Sequence, residues 1–244
     1  VRELLLAGKR RVRDVWISEG LDDSPLLAEL IGLAEDARVP VRRVTRTRLD
    51  DEAFTEAPQG VLAHAEPLAE TDIERLAKPG RNKPKPFLVV LDGITDPHNL
   101  GAILRTAECA GVTGVVLPRH RAAHVTATVA KAAAGAVEHL PMAVVPGLPA
   151  ALAYLKDQGV WTVGLDAEGD SSLFDLELAT EPVALVLGAE GSGLSRLVRQ
   201  RCDVVVSIPQ RGRIESLNVS AAAALACYEV ARRRPEGAGG DPAV

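Results

Sequence analysis

Residues 87–111 read FLVVLDGITDPHNLGAILRTAECAG, and the reading of this stretch decides the fold class. It opens on the apolar run FLVVLDG, which has the composition of a buried strand. A helical stretch follows, with Arg105 and Glu108 set among alanines and leucines. Between the two lie Asp96, His98 and Asn99, polar groups gathered at the carboxyl end of a strand. In open α/β sheets that edge is where ligands bind. A capped surface helix gives a similar local pattern, so the rest of the chain has to decide.

Downstream of Phe87 the same texture repeats. The runs FLVVLD, GVVLP, HLPMAVV, WTVGLD, PVALVLG and DVVVSIP alternate with helical stretches near 99–110, 123–135, 149–158, 194–201 and 217–233. Near-continuous β-branched runs separated by helices predict a parallel sheet covered on both faces. Upstream, VRELLLAG reads as helix, VRDVWIS as strand and SPLLAELIGLAEDA as a helix with a Ser cap and a Pro in its first turn. VPVRRVT is a strand, RLDDEAF a short helix and QGVLAHA a last strand, which together make a small α/β/α unit. That unit has no paired carboxylates, glycine-rich loop or nucleophile arrangement, so it suits binding better than catalysis. The expected organisation is a small α/β domain over 1–68, a linker over 69–86, a large domain over 87–234 and a disordered tail over 235–244.

Composition narrows the partners. The chain has 244 residues, 47% hydrophobic and 25% charged, ordinary values for a globular protein. Aromatics make up 3%, too few for a binder built on stacking platforms. Cys109, Cys202 and Cys227 lie far apart, with no C-x-x-C pair or His/Cys cluster, so neither a metal site nor a disulfide framework is indicated. A reduced, cytoplasmic setting is the simplest reading. No apolar stretch is long enough for a membrane span, and no signal peptide is visible. The formal charge of −5 is a poor global match for nucleic acid, but basic residues cluster in KRRVR (9–13), RRVTRTR (42–48), KPGRNKPK (78–85) and RRR (232–234). Such runs are either solvated faces or, combined, one phosphate-binding surface.

The chemistry belongs at the strand ends of the large domain. The position for G-x-G-x-x-G reads DGITDPHNLG, and the phosphate loop G-x-x-x-x-G-K-[ST] and the G-x-S-x-G elbow are absent. Three loops stand out instead. In DPHNLGAILRTAE, Asn99 can cap the helix, and Arg105 either snorkels to solvent or pairs with Glu108. In LVLGAEGSGLS, Gly188, Gly191 and Gly193 surround Glu190, more glycine than a strand–helix turn requires, and Ser195 can cap the next helix. In SIPQRGRIESLNVSAAAALACYEVARRR, Ser216 is the expected cap, which leaves the Asn218 side chain free for another role.

These three segments resemble, in order and at suitable separation, the motifs of the SpoU/TrmH group of RNA ribose 2′-O-methyltransferases. KAAAGAVEHLPM at 131–142 resembles the RlmB-like branch, which methylates a guanosine of large-subunit (23S) ribosomal RNA. The likeness covers 87–234, and the N-terminal unit, with its QGVLA, resembles the small ribosomal-protein-like RNA-binding domain that precedes it. Gln210 departs from the family, where many members have Met. The resemblance implies a trefoil-knotted α/β fold, with the knot from about Val183 to Ser220 and S-adenosylmethionine (AdoMet) held in its loops. It implies a reacting centre of Asn99, Arg105, Glu190, Ser216 and Asn218. The cofactor would be bound by Leu187, Gly188, Ile208, Leu217 and Asn218, with Thr162 and Gly164 lining the same pocket. It implies a homodimer through the large domain, with Arg105 serving the partner's site, and RNA as the substrate. Arginine stays protonated, so Arg105 suits a cationic clamp on a phosphate and on developing alkoxide charge better than a base. Glu190 would orient that guanidinium or bind substrate, and Asn218 would hold the ribose or the AdoMet end. Alternatives are a transfer-RNA methyltransferase, an antibiotic-resistance ribosomal-RNA methyltransferase, or a non-catalytic RNA-binding ribosome-assembly factor.

Overall fold

The change of texture at Phe87 marks the start of a second sheet. The computed structural model describes residues 1–55, 58–78, 80, 83–120, 122–213 and 216–235, so the expected tail lies, beyond residue 235, outside the described residues. The small domain holds α1 (Arg2–Ala7), β1 (Val12–Ser18), α2 (Pro25–Asp36), β2 (Val41–Val44), α3 (Arg46–Glu52) and β3 (Val61–Ala65). Strand order is β2-β1-β3, with β1 parallel to β2 and antiparallel to β3. Alternation along β1 splits two cores. Val15 and Ile17 pack with Leu5, Leu27, Leu30 and Ala34, while Trp16 closes the other face with Val44 and Leu49. The helix α2 starts as its sequence predicts: Ser24 Oγ accepts from the Leu27 amide at 3.2 Å, and Pro25 occupies the first turn.

The large domain continues with α4 (Ile73–Ala77), β4 (Phe87–Asp92), α5 (Pro97–Cys109), β5 (Gly114–Pro118), α6 (Ala127–Ala132), β6 (Met142–Val145), α7 (Leu148–Asp157), β7 (Trp161–Leu165), β8 (Ser171–Ser172), β9 (Val183–Gly188), α8 (Arg196–Arg201), β10 (Val204–Ser207) and α9 (Val219–Arg233). The sheet order is β6-β5-β4-β9-β7-β10-β8, and its pairings are parallel. On β4, Phe87, Val89 and Leu91 face a core shared with Leu104 of α5, Val129 of α6 and Cys227 of α9. Leu88 and Val90 face the opposite core, with Leu76 of α4, Leu152 of α7 and Val198 of α8. Each fully buried leucine contributes roughly 1.5–3 kcal/mol, so these two layers outweigh any of the surface ion pairs. The edge strand β8 is a departure from the strand pattern, since two serines leave no apolar run to read. Among the described residues, no helix is long and apolar enough to cross a membrane.

The short helix α4 belongs to the large domain's layer. Leu76 is buried so close to Gly114 that a Cβ there would lie 2.5 Å from its Cδ2, and the Thr71 amide donates to the Met142 carbonyl at 2.8 Å. The two domains meet at the turn 131–142, KAAAGAVEHLPM. The Arg10 guanidinium grips Glu138, Nε to Oε2 at 3.0 Å and Nη2 to Oε1 at 2.5 Å, with the Glu138 side chain only 4% exposed. His139 Nε2 lies 3.1 Å from Glu3, and Gly135 lets α1 approach until a Cβ would be 2.5 Å from that of Glu3. Glu138→Ala is expected to lower stability by roughly 2–4 kcal/mol, because it strands a part-buried guanidinium. Combining Arg10→Glu with Glu138→Arg should recover part of the loss, and urea denaturation of the three proteins measures both effects.

Candidate active site at the carboxyl edge of the large sheet

The strands β4, β9, β7 and β10 are parallel neighbours, with Leu91, Leu187, Leu165 and Val206 in one register row. The loops after them therefore leave from one edge. The first begins with Asp96, whose carboxylate accepts from the amides of His98 at 3.0 Å and Asn99 at 3.3 Å, with Pro97 at the first helical position. The cap of α5 is thus Asp96, which corrects the expectation that Asn99 caps it. The Asn99 amide is released for tertiary contacts. Its Nδ2 donates to Glu190 Oε2 at 3.1 Å, and its Oδ1 accepts from Asn218 Nδ2 at 3.0 Å. Three residues from three loops are joined through one side chain.

The third loop carries a second correction. The cap of α9 is Asn218, whose Oδ1 accepts from the Ser220 amide at 2.9 Å and from the Ser220 hydroxyl at 2.5 Å. Both ends of that side chain are engaged, so Asn218 is neither free nor spare. Ser216, the expected cap, is exposed and makes no hydrogen bond among the described residues.

The glycine-rich loop folds back over its own strand. Ala189 and Gly193 exchange backbone hydrogen bonds of 3.1 and 2.9 Å, and the turn runs over Gly188, where a Cβ would lie 2.1 Å from the Gly193 carbonyl carbon. Gly191 and Gly193 take the left-handed conformation, φ 81° and 63°. The far end is pinned by Asp92, whose Oδ2 accepts from the Ser195 amide at 2.7 Å. Sequence reasoning missed Asp92; its position as the last residue of a buried strand, facing a glycine loop, is the signal. Ser195 starts α8 without a side-chain cap bond.

Arg105 is exposed and has no hydrogen bond or ion pair among the described residues, so the pairing with Glu108 is not made. It sits about 9 Å along α5 from Asn99 and about 120° around the helix. Of the expected cofactor residues, Gly188 and Ile208 stand at the ends of β9 and β10, and Leu217 is 38% exposed at the same edge. The Leu187 side chain is in the core, leaving only its backbone for contact. Thr162 is fully buried near the start of β7. Its hydroxyl donates to Asp203 Oδ2 at 2.8 Å and accepts from the Asp203 amide at 3.0 Å. Gly164 is likewise buried, and it serves packing, since a Cβ would lie 2.8 Å from Leu194 Cδ1 and 3.0 Å from Cys202 Sγ.

The Thr162–Asp203 pair has a pH signature. Burial works against the Asp203 carboxylate, but Lys156 and the donors of Thr162 outweigh it and hold the carboxyl below its ordinary 3.8. A depressed folded value means that this stabilisation is complete above the unfolded value and is lost as pH falls through the folded one. Asp203→Asn should therefore be less stable than the parent at neutral pH and converge on it in acid, as urea midpoints across the acid limb will show.

Part of the four basic runs is taken up by the protein's own contacts. Arg232 and Arg233 both bind Glu229, and Arg234 donates to the carbonyls of Ala179, Lys85, Pro86 and Glu181. In the other runs, Arg10 binds Glu138, Arg42 lies 3.5 Å from Asp14 and Arg46 binds Asp50. These guanidiniums are engaged by the protein's own oxygens. The cations without a partner among the described residues include Arg11, Arg13 and Arg43 of the small domain and Arg105, Arg119, Arg211 and Arg213 of the large one, all exposed. Among the described residues, no three His, Cys, Asp or Glu side chains are placed to hold a metal ion.

The chain is similar to known proteins in sequence and in fold. Residues 86–228 match the model of the SpoU rRNA Methylase family, and residues 1–71 match that for RNA 2′-O ribose methyltransferase substrate binding. The chain is 40% identical to the 23S rRNA (guanosine-2′-O-)-methyltransferase RlmB of Pseudomonas putida, over 96% of this chain and 94% of that protein. The crystal structure of the SpoU methyltransferase AviRb from Streptomyces viridochromogenes, in complex with AdoMet, superposes with a TM-score of 0.78 at 28% identity. It covers 95% of this chain and 86% of that one. The TrmH/SpoU tRNA modifying enzyme of A. aeolicus superposes over 66% of this chain and 81% of its own, with a TM-score of 0.56 at 26% identity.

Proposed function

Since the chain belongs to the SpoU rRNA Methylase family, we propose that it transfers a methyl group from AdoMet to a ribose 2′-hydroxyl of RNA, a guanosine of large-subunit ribosomal RNA. The observation that carries this reading is the Glu190–Asn99–Asn218 chain, which gathers three separate loops at an edge where Arg211 and Arg213 have no partner among the described residues. The ribosomal target is supported by relatives that match both domains, whereas the tRNA modifying enzyme matches about two thirds of the chain.

The edge fits the cofactor by its donor set. Gly188 lies buried beneath the glycine loop, and Ile208 and Leu217 carry apolar side chains, so main-chain groups would make the polar contacts. When bound, AdoMet supplies an electrophilic methyl group, and transfer to a hydroxyl is a direct displacement needing positioning and proton removal, without a covalent enzyme intermediate. Asn99 fixes Glu190, the carboxylate of the hydrogen-bonded chain, so that it orients the substrate. Arg105 clamps the target phosphate and stabilises negative charge as it grows on the ribose oxygen. Its place on α5, turned away from Asn99, suits service to a partner's site. The acting form is a homodimer through the large domain, supported by the apolar stripe on α9, where Leu225 and Tyr228 are 42% and 52% exposed. The segment from about Val183 to Ser220 forms the knot. The setting is the cytoplasm, where the substrate is made.

The test is tritium transfer from labelled AdoMet to unmodified large-subunit ribosomal RNA, with transfer RNA in parallel. Alkali-resistant label at one ribosomal nucleotide supports the reading. Label in transfer RNA alone moves the protein to the other branch.

A further inference from the structure

Phe54 is 83% exposed in a chain with only three phenylalanines, and its ring joins neither core of the small domain. Its backbone is nonetheless held, because Thr128 of α6 donates to the Phe54 carbonyl at 3.3 Å across the domain boundary. Phe54 borders an interdomain cleft of about 790 Å³ whose apolar lining includes Leu62 and Ala63 of the small domain and Leu117, Val125 and Val144 of the large one. That volume lies in the range of small-molecule sites, roughly 300–1,000 Å³, and suffices for a nucleotide.

The cleft reaches the end of the strand next to the one that leads into the active edge. Leu117 and Pro118 end β5, the neighbour of β4, and the Ala123 amide donates to the Ile94 carbonyl at 2.7 Å in the loop that leads into α5. The connecting loop exposes Arg119, His120 and His124, whose side chains have no hydrogen bond or ion pair among the described residues. An apolar floor with an aromatic lip, flanked by unpaired nitrogen donors, is complementary to a nucleotide: a flat apolar base and an anionic phosphate. RNA is recognised with sequence specificity in unpaired segments, where splayed bases stack on aromatic side chains.

We infer that Phe54 is a stacking platform for one unpaired nucleotide near the methylated one. The intervening phosphates pass along Arg119, His120 and His124 to the active edge. This rests on the proposed reading of the protein as an RNA methyltransferase. Phe54 is then a specificity residue of that reaction, remote from the reacting atoms.

The experiment measures methylation and binding of an unmodified ribosomal RNA fragment by the full chain, its Phe54→Ala and Phe54→Trp variants, and Arg119→Gln. Base–aromatic stacking predicts that Phe54→Ala raises the RNA KM about tenfold. AdoMet affinity and kcat at saturating RNA stay unchanged, and Phe54→Trp keeps the parent KM. Arg119→Gln should reduce the slope of log affinity against log salt by about 0.7, one single-strand phosphate contact. An unchanged KM in Phe54→Ala overturns the inference, and so does a raised KM that tryptophan does not restore. Loss of dimer in Phe54→Ala by light scattering overturns it too, by assigning the ring to a second copy of the chain. Parent protein that transfers no methyl group overturns the functional reading itself, whereas parent transfer with an indifferent Phe54→Ala removes this inference alone.

Discussion

Arg105→Ala lowers methyl transfer about 10²–10³-fold, the loss typical when a group stabilising developing charge is removed. AdoMet affinity and folding stability stay where they were. The contrast follows from the position of the side chain: Arg105 is exposed and binds nothing among the described residues, so its loss leaves no buried group unpaired. Arg105→Lys recovers little, because an ammonium lacks the planar fork that holds a phosphate through two bonds. Single-turnover transfer with saturating AdoMet, beside calorimetric AdoMet binding, separates the effects. Mixing Arg105→Ala with Asn99→Ala should restore activity if each site takes its arginine from the partner, since a mixed dimer then holds one complete site. Arginine acting within its own chain gives no restoration.

Gly188→Ala strikes the cofactor edge through the backbone. The added methyl would lie 2.1 Å from the Gly193 carbonyl carbon, 2.3 Å from its oxygen and 2.4 Å from the Leu194 nitrogen, and none of these is the end of a flexible side chain. The loop from Ala189 to Ser195 has to lift, breaking the Ala189–Gly193 pair and moving Glu190 away from Asn99. Overpacking of this kind costs about 1–3 kcal/mol and occasionally more. The functional loss is larger, because the displaced backbone is the proposed AdoMet contact: binding should become undetectable by calorimetry while the circular dichroism spectrum of the parent is retained. By contrast, Gly191→Ala meets no atom within 4 Å and is opposed only by its φ of 81°, so it should be milder.

The strands of the large sheet were legible because Val and Leu runs buried on both faces leave few alternatives, and the Ser24 cap was legible because Pro25 fixes its frame. The same rule, a proline at the first helical position, marks Asp96 as the cap of α5, yet Asn99 has as good a capping side chain when read alone. At α9 the local signals are balanced between Ser216 and Asn218. The structure places Asn218 there while its amide reaches Asn99, an interaction across 119 residues that no window contains. The charge runs divide the same way. Glu229 stands three and four residues before Arg232 and Arg233 on one helix, a spacing legible in the sequence, whereas the carbonyls of Ala179, Lys85, Pro86 and Glu181 become neighbours of Arg234 only on folding. The small-domain docking seat at 131–142 was visible as a pattern without a purpose until Arg10 was seen on Glu138.

The parallel pairing of the large sheet also dictates the order in which the chain can assemble. Phe87 of β4 lies beside Val183 of β9, and β9 is itself inserted between β4 and β7, so the sheet's centre cannot close until most of the domain has left the ribosome. Such long-range pairing belongs to folds that take milliseconds to seconds, while the small domain, joined through near neighbours, can finish first. Until then β4, paired with β5 alone, leaves one apolar edge open, the segment at which a crowded nascent chain would aggregate.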